Sequence, residues 1–268
     1  MLIEKTLFGE RNKVEMAIAR LKLHEPKEGY YVAFSGGKDS CVVLDLCKRA
    51  GVKYDAHYNL TTVDPPELIY FIKKHHPEIW ETRTKPEKSM WQLIEQKTMP
   101  PTRLVRYCCS ELKEKGGAGR VVVTGIRWEE SRKRAKRQMA ETCKNHSKKQ
   151  FLHPIIDWTD KEVWEYIHTY KIPYCKLYDE GCSRIGCIMC PLGSGQLAEA
   201  KRWPKYAENY KRACIRAYNK AIADGLERKG WKNGEDMYHW WLQDGKYTEK
   251  EDDKLIPLFG LMGDESML

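Results

Sequence analysis

A glycine-containing turn, SGGKDS, limits the fold of this chain more than any other segment. The apolar run YYVAF at residues 30–34 precedes it and is typical of a strand, and apolar residues at helical spacing follow it. A strand, a tight turn and a helix in this order begin a crossover connection, which joins parallel strands. The turn consists of six residues, namely Ser35, Gly36, Gly37, Lys38, Asp39 and Ser40.

The composition of this turn indicates a phosphate-binding loop. Its two glycines let the backbone approach a ligand closely, and the helix that follows offers N–H groups and the positive end of its dipole. Ser35 and Ser40 would add hydroxyl donors, Lys38 a charge, and Asp39 would hold Mg²⁺ or cap the helix. A Walker loop needs glycine at position 32, where this chain has Val32, so the loop is of another kind. The competing interpretation is a plain glycine turn with a helix cap.

Short apolar runs alternate with helical patterns on both sides of the turn. We predict a helix over residues 14–23, a second strand near residues 54–59, and a third strand, VVVTG, that ends at Gly125. Asp64 precedes two prolines, which indicates a further helix with Asp64 as its cap. The alternation predicts an α/β fold, with a mostly parallel sheet and helices on both faces. Ligands of such sheets bind beyond the carboxyl ends of the strands.

The pattern changes near residue 173. The segment PYCKLYDEGCSRIGCIMCPLGSG is rich in Cys and Gly, which indicates an ordered loop without regular structure. Apolar residues then recur every four positions, as in a helix with one buried face. We therefore predict an α/β domain over residues 1–173 that carries the phosphate loop, and a Cys-rich loop with a helical C-terminal region over residues 174–268.

The charge of the chain is basic and unevenly distributed. Lysine and arginine total 47 against 38 acidic residues, and residues 127–149 alone hold nine basic and three acidic side chains. Such a patch suits a polyanion, either a nucleotide or a nucleic acid, although a solvated helix face is an equal alternative for the distal lysines. No apolar run is long enough to span a membrane and residues 1–13 lack a signal core, so we expect a cytoplasmic protein without a membrane partner.

A second group of polar residues follows Gly125. If a helix begins near Arg127, then Arg127, Ser131 and Arg134 share one face at the carboxyl edge of the sheet. Two guanidinium groups at this edge would bind phosphate or sulfate oxygens in a bidentate manner.

The SGGKDS loop after a strand resembles the PP-loop of the ATP pyrophosphatases. Together with Arg127, Arg134 and the segment HPIIDWTDKEVWEYI, it resembles the phosphoadenosine-phosphosulfate reductase family, a branch of that fold, from about residue 30 to residue 192. The resemblance implies that the loop holds the pyrophosphate that leaves ATP, with Mg²⁺ bridging the phosphates. It implies four catalytic residues, Lys38, Asp39, Arg127 and Arg134. It implies a nucleotide site formed by Ser35, Gly36, Gly37, Lys38, Asp39, Ser40, Gly125, Arg127 and Ser131.

Four cysteines are spaced as metal ligands. Cys108 and Cys109 are adjacent, and Cys187 and Cys190 form a CxxC. Adjacent cysteines fit one zinc tetrahedron poorly, whereas in a 4Fe-4S cluster each thiolate binds a separate iron. The set also resembles the cluster ligands of adenylylsulfate reductases in the same family. We expect a 4Fe-4S cluster, with structural zinc as the alternative, and Cys182 as a possible replacement for either adjacent cysteine.

Two departures from the sulfite-forming members of the family favour ATP as the substrate. Those reductases attack sulfur with a C-terminal cysteine in a Cys-Gly-x-His context, whereas the last cysteine here is Cys214, and their phosphate loop is usually altered. We therefore expect cleavage of ATP to AMP and pyrophosphate to activate an acceptor for sulfur, such as tRNA, DNA or a small molecule, with a sulfur-donor or electron-donor protein as partner. The alternatives are an adenylylsulfate or phosphoadenylylsulfate reductase and a non-catalytic nucleotide- or nucleic-acid-binding subunit.

Overall fold

The computed structural model of the chain describes residues 2–6, 9–142, 149–193, 195–227 and 230–242. Contacts divide the chain into two compact units. The first contains the described residues of Met1–Met90 and Arg106–Ile188, and the second contains Trp91–Val105 and the described residues from Met189 onward. The predicted domain boundary at residue 173 stays a prediction, and the Cys-rich segment groups with the first unit as far as Ile188.

The first unit is built on a five-stranded sheet. The strands of the chain are β1 Ile3–Thr6, β2 Gly9–Asn12, β3 Tyr30–Ala33, β4 Tyr54–His57, β5 Val121–Val123, β6 Ala140–Thr142 and β7 Gln150–Leu152. The sheet order is β4-β3-β5-β7-β6, and every pairing is parallel except that of β6 with β7. The strands β1 and β2 form a separate antiparallel hairpin. The predicted α/β class with a mostly parallel sheet is confirmed.

Helices of the first unit flank the sheet. They are α1 Lys13–Leu23, α2 Lys38–Ala50, α3 Pro66–His75, α4 Pro77–Glu81, α6 Tyr107–Leu112 and α7 Asp160–Thr169. Helix α5 Met90–Gln96 begins at the boundary between the units, and α8 Gln196–Arg202, α9 Pro204–Ala223 and α10 Gly234–Leu242 belong to the second unit. Helices α1, α2 and α7 bury apolar faces in one core with β3 and β5, where Leu21, Leu46 and Trp158 are almost fully buried. None of the described helices is long and apolar enough to cross a membrane.

Two details of the local predictions are wrong. The helix predicted after Asp64 is present with proline in its first turn, but its N-cap is Pro65, and the Asp64 carboxylate instead accepts the N–H of Thr61 at 2.7 Å. The helix predicted from Arg127 is absent from this described segment, which instead forms two short 3₁₀ turns, Trp128–Glu130 and Arg134–Lys136. Arg127 has an extended backbone, because its side chain turns inward toward carboxylates of other segments.

The second unit packs around helix α9. Tyr210, Cys214, Ala217 and Ala221 form a buried face at four- and three-residue spacing, as the sequence predicts. Trp91 packs edge-on against the ring of Tyr210, with the ring centroids 4.7 Å apart. These apolar contacts give the second unit a core of its own.

The first turn of α7 is fixed by a capping box. Thr159 accepts the N–H of Glu162, and the Glu162 carboxylate accepts the N–H of Thr159 at 2.8 Å. The box sets where the helix begins and therefore where its first residue, Asp160, lies.

We expect Thr159→Ala to lower the free energy of unfolding by about 1 kcal/mol, because the helix loses one capping acceptor. Thr159→Ser, which keeps the hydroxyl, should retain most of the stability. Urea unfolding of both variants followed by circular dichroism measures the difference. Equal stability of the alanine variant and the wild type would contradict the assigned role.

Candidate functional site

A cavity of about 620 Å³ lies at the carboxyl ends of strands β3, β4 and β5. It is formed within the first unit by the loops after these strands, the start of α7 and part of the Cys-rich segment. Its volume is typical of sites for small molecules and cofactors. The predicted site residues that line it are Ser35, Gly37, Lys38, Asp39, Ser40, Gly125, Arg127, Ser131 and Arg134.

The turn between β3 and α2 is held by its own side chains and by one left-handed glycine. The Ser40 hydroxyl donates to the carbonyl of Gly37 at 2.8 Å and lies 3.3 Å from the Ser35 hydroxyl. Gly36 has a φ of +73°, and a Cβ atom there would lie 2.7 Å from Leu68 Cδ1. Gly36 therefore shapes the turn, whereas Gly37, at the N-cap of α2, lines the cavity.

Gly125 allows the loop after β5 to touch the first turn of α2. A Cβ atom at this position would lie 2.9 Å from the carbonyl carbon and from Cβ of Asp39. A larger residue would push the two segments apart, since backbone atoms cannot move aside as a flexible side chain can. Glycine at this position is therefore required by packing, whether or not it contacts a ligand.

Charged side chains connect the segments around the cavity. Arg127 Nε contacts Asp39 Oδ1 at 2.7 Å, its Nη2 contacts Asp160 Oδ1 at 3.0 Å, and its Nη1 contacts Glu129 at 3.1 Å. Lys38 Nζ lies 2.9 Å from the same Asp160 oxygen. The Arg127 side chain is only 3% exposed. Burial disfavours its charged form, but the carboxylates, with Asp39 foremost, raise the pKa of this guanidinium, so it stays charged.

The arginines of the cavity differ in how many ion pairs they form with protein carboxylates. All three guanidinium nitrogens of Arg127 have carboxylate partners, and Arg134 forms an ion pair with Glu130. Arg184 is exposed and, within the described residues, has neither an ion pair nor a hydrogen-bond partner. Arg184 is therefore the arginine most available to a ligand, while the catalytic roles predicted for Arg127 and Arg134 stay predictions.

Several residues that line the cavity were not predicted from the sequence. His57 and Asn59 lie at and beyond the end of β4, and Tyr178, Ser183 and Arg184 belong to the Cys-rich segment. Ligands of parallel sheets bind beyond the carboxyl ends of the strands, so the strand predicted near residues 54–59 could have indicated His57 and Asn59. The Cys-rich segment has no periodicity that would place its side chains, and only the three-dimensional structure brings them to the cavity.

Two of the predicted metal ligands lie together. Cys108 and Cys109 are in the first turn of α6, and Arg106 Nη2 lies 3.3 Å from Cys109 Sγ. A hydrogen bond from Cys108, followed by the interaction with Arg106, lowers the pKa of the Cys109 thiol to about 5, so it is a thiolate at neutral pH. Cys187 Sγ lies 3.5 Å from the hydroxyl of Thr61, which lines the cavity.

The remaining cysteines do not complete a metal site in the described part of the chain. Cys182 is in the first unit and Cys190 is in the second. No three His, Cys, Asp or Glu side chains among the described residues are arranged to hold a metal ion. The four-cysteine ligand set stays a prediction.

A family comparison covers more than half of the chain. Residues 29–193 match the family described as the phosphoadenosine phosphosulfate reductase domain. An uncharacterized protein of Methanocaldococcus jannaschii is 32% identical over 77% of this chain and 46% of its own length. An adenosine 5'-phosphosulfate reductase of Bacillus mycoides is 27% identical over 73% of this chain and 89% of its own length. The chain thus spans about half the length of the archaeal relative and most of the bacterial one.

The chain has distant similarity to solved structures. The crystal structure of phosphoadenylyl-sulfate reductase from Candida auris has a TM-score of 0.49 and 19% identity, and covers 65% of this chain and 87% of that chain. An FMN adenylyltransferase of Candida glabrata has a TM-score of 0.47 and 16% identity, over 66% of this chain and 62% of that chain.

The two glycines of the turn should tolerate alanine differently. We expect Gly36→Ala to cost about 1–3 kcal/mol, because it forces a side chain into a left-handed backbone against Leu68. Gly37→Ala should cost less than about 1 kcal/mol, because its Cβ would lie in ordinary contact distance, 3.4 Å from Ser35 Oγ. Urea unfolding of both variants measures the contrast, and equal costs would contradict the turn geometry.

Proposed function

The chain belongs to the phosphoadenosine phosphosulfate reductase domain family, and from this membership and its site we propose that it is an enzyme that cleaves ATP to AMP and pyrophosphate. In the proposed reaction an acceptor oxygen attacks the α-phosphorus, and the bond from this phosphorus to the bridging oxygen breaks. That oxygen leaves with the pyrophosphate, and the acceptor is adenylated. A sulfur nucleophile then displaces AMP from the acceptor.

The observation that carries this proposal is the position of the SGGKDS turn. The turn joins β3 to the start of α2 and lines a cavity at the carboxyl ends of the parallel strands. The N-terminus of a helix after a glycine turn favours phosphate, through its N–H groups and its dipole. A loop with both glycines and a lysine suits a nucleotide that still has a pyrophosphate group to release.

The side chains around the cavity have distinct proposed roles. Lys38, Ser35 and Ser40 would bind the pyrophosphate from the side of the loop, and Arg134 would neutralise charge that develops on it. Arg127 faces the cavity but is held by carboxylates, so we assign it first to positioning Asp39 and Asp160. Its predicted contact with the phosphates would require that these ion pairs rearrange.

The cavity also fits Mg²⁺. This ion is usually bound by one or two protein carboxylates together with substrate phosphates, so it does not need three protein ligands. Asp39 and Asp160 both line the cavity. Both carboxylates form ion pairs with Arg127, and Asp160 also pairs with Lys38. They would hold the ion, which when bound would neutralise charge on the departing pyrophosphate.

The acceptor is proposed to be a nucleic acid, either tRNA or DNA, with a small molecule as the alternative. Arg132, Lys133 and Lys136 are exposed next to Ser131 and Arg134, which line the cavity. Exposed cations beside a cavity suit a phosphate backbone that enters it. A sulfur-donor or electron-donor protein would be the second partner.

The similarity to adenosine 5'-phosphosulfate reductases favours a second candidate function. In this reaction a thiol would attack the sulfur of adenylylsulfate and AMP would leave, or it would attack phosphoadenylylsulfate and 3'-phospho-AMP would leave. A further thiol would then attack the enzyme-bound thiosulfonate, forming a disulfide and releasing sulfite. The attacking cysteine would then be unusual or lie on a partner protein. The products distinguish the two candidates.

Anaerobic incubation with MgATP, RNA or DNA and a sulfide donor should yield AMP and pyrophosphate detectable by mass spectrometry, and omission of the nucleic acid should lower the yield of both. We expect Lys38→Ala to lower product formation at least 100-fold, because the loop loses its charge next to the leaving group. Lys48→Ala is the matched control, since Lys48 is exposed on the last turn of the same helix, and should leave the rate unchanged.

Other outcomes of this assay separate the alternatives. Sulfite from adenylylsulfate or phosphoadenylylsulfate with a thiol donor, without AMP from ATP, would replace the proposed reaction by the reductase reaction. Nucleotide binding without turnover under every condition would indicate a non-catalytic binding subunit.

We further propose that Cys108, Cys109, Cys187 and Cys190 hold a 4Fe-4S cluster, with zinc as the alternative metal. The adjacent thiols at Cys108 and Cys109, of which Cys109 has a lowered pKa, support a soft-metal site. The described side chains do not form a complete ligand set, so we assign the cluster no step in the reaction.

Anaerobically purified protein should contain about four irons per chain. Its visible absorption spectrum should be that of an iron–sulfur protein. Cys109→Ser should lower the iron content, whereas Cys214→Ala should not, because Cys214 is buried in helix α9. Stoichiometric zinc in a colourless protein would support the zinc alternative, and absence of both metals would contradict the metal site.

A further inference from the structure

The hydroxyl of Tyr178 lies at the phosphate loop. It accepts the backbone N–H of Lys38, the first residue of α2, at 3.0 Å. It also lies 3.5 Å from the position of a Cβ atom on Gly37, the N-cap of that helix. An oxygen atom from the Cys-rich segment therefore occupies a place at the helix N-terminus where a phosphate oxygen would be favoured.

The ring of Tyr178 is held firmly in this place. Tyr178 ends a 3₁₀ turn, Lys176–Tyr178, whose neighbours Cys175 and Leu177 are buried. The ring packs edge-on against Trp164 of α7, with the ring centroids 5.3 Å apart. The ring contact with Trp164 and the hydrogen bond from Lys38 together fix the position of the hydroxyl oxygen.

The hydroxyl accepts one hydrogen bond, and its proton is available to a ligand. A phenol can accept a hydrogen bond and donate one. Among the described residues no acceptor for the Tyr178 proton is present, although the residue lines the cavity. Burial raises the pKa of Tyr178, so the phenol keeps its proton at neutral pH.

We propose that Tyr178 donates a hydrogen bond to the pyrophosphate part of the bound nucleotide while it accepts the N–H of Lys38. This inference rests on the proposed function, and it adds a donor from the Cys-rich segment to the loop between β3 and α2. Cys182 and Cys187 follow Tyr178 within nine residues, so the segment that carries these thiols would contact the leaving group directly.

Equilibrium binding of magnesium pyrophosphate, MgATP, AMP and adenosine to the full chain tests the inference. We expect Tyr178→Phe to weaken pyrophosphate and MgATP about tenfold, because one hydrogen bond to a charged group is lost. AMP and adenosine affinities should not change, since neither contains the pyrophosphate group. Tyr174→Phe is the matched control, because the Tyr174 hydroxyl donates to Asp179 at 2.9 Å and is not among the residues that line the cavity.

A second variant distinguishes hydrogen bonding by the Tyr178 hydroxyl from a purely structural role of its ring. Replacement of Tyr178 by 3-fluorotyrosine keeps the ring and makes the hydroxyl a stronger donor, so pyrophosphate should bind more tightly. Unchanged or weaker pyrophosphate binding to this variant would overturn the inference, as would unchanged or tighter binding to Tyr178→Phe. If the wild-type chain binds neither MgATP nor pyrophosphate, the proposed function fails as well, whereas normal wild-type binding with an unaffected phenylalanine variant removes only the role of Tyr178.

Discussion

The buried guanidinium of Arg127 is the interaction on which the cavity depends. It joins three segments that are distant in sequence: the loop after β5, the first turn of α2 through Asp39, and the start of α7 through Asp160. A buried charge is tolerated only where opposite charges and hydrogen bonds offset its desolvation, and removal of one partner typically costs about 3–5 kcal/mol. The carboxylates and the arginine therefore require one another, and together they fix the shape of the site.

The lysine of the turn between β3 and α2 belongs to the same network. Lys38 shares an oxygen of Asp160 with Arg127, so the positive charge of the loop is already balanced by protein carboxylates. A nucleotide with Mg²⁺ would bring both negative and positive charge into this arrangement. The exchange of partners among Lys38, Asp39, Asp160 and the ligand would couple metal and nucleotide binding.

Local sequence patterns predicted much of the fold but only part of the site. The strand before SGGKDS and the helix after it depend on neighbouring residues, and both are present in the structure. The helical spacing of Arg127, Ser131 and Arg134 was misleading. Contacts with distant carboxylates draw Arg127 inward and the backbone there is extended, yet all three residues line the cavity. Tyr178 and Arg184 could not be predicted, because a loop without periodicity gives no direction for its side chains.

A crystal structure of the chain with MgATP, or with a non-hydrolysable analogue, tests the central claim most directly. We expect the β- and γ-phosphates to lie within hydrogen-bonding distance of the turn between β3 and α2, with Mg²⁺ beside Asp39 and Asp160. A nucleotide bound outside this cavity, or with its adenine rather than its phosphates at the turn, would contradict the claim that the SGGKDS turn binds the phosphates.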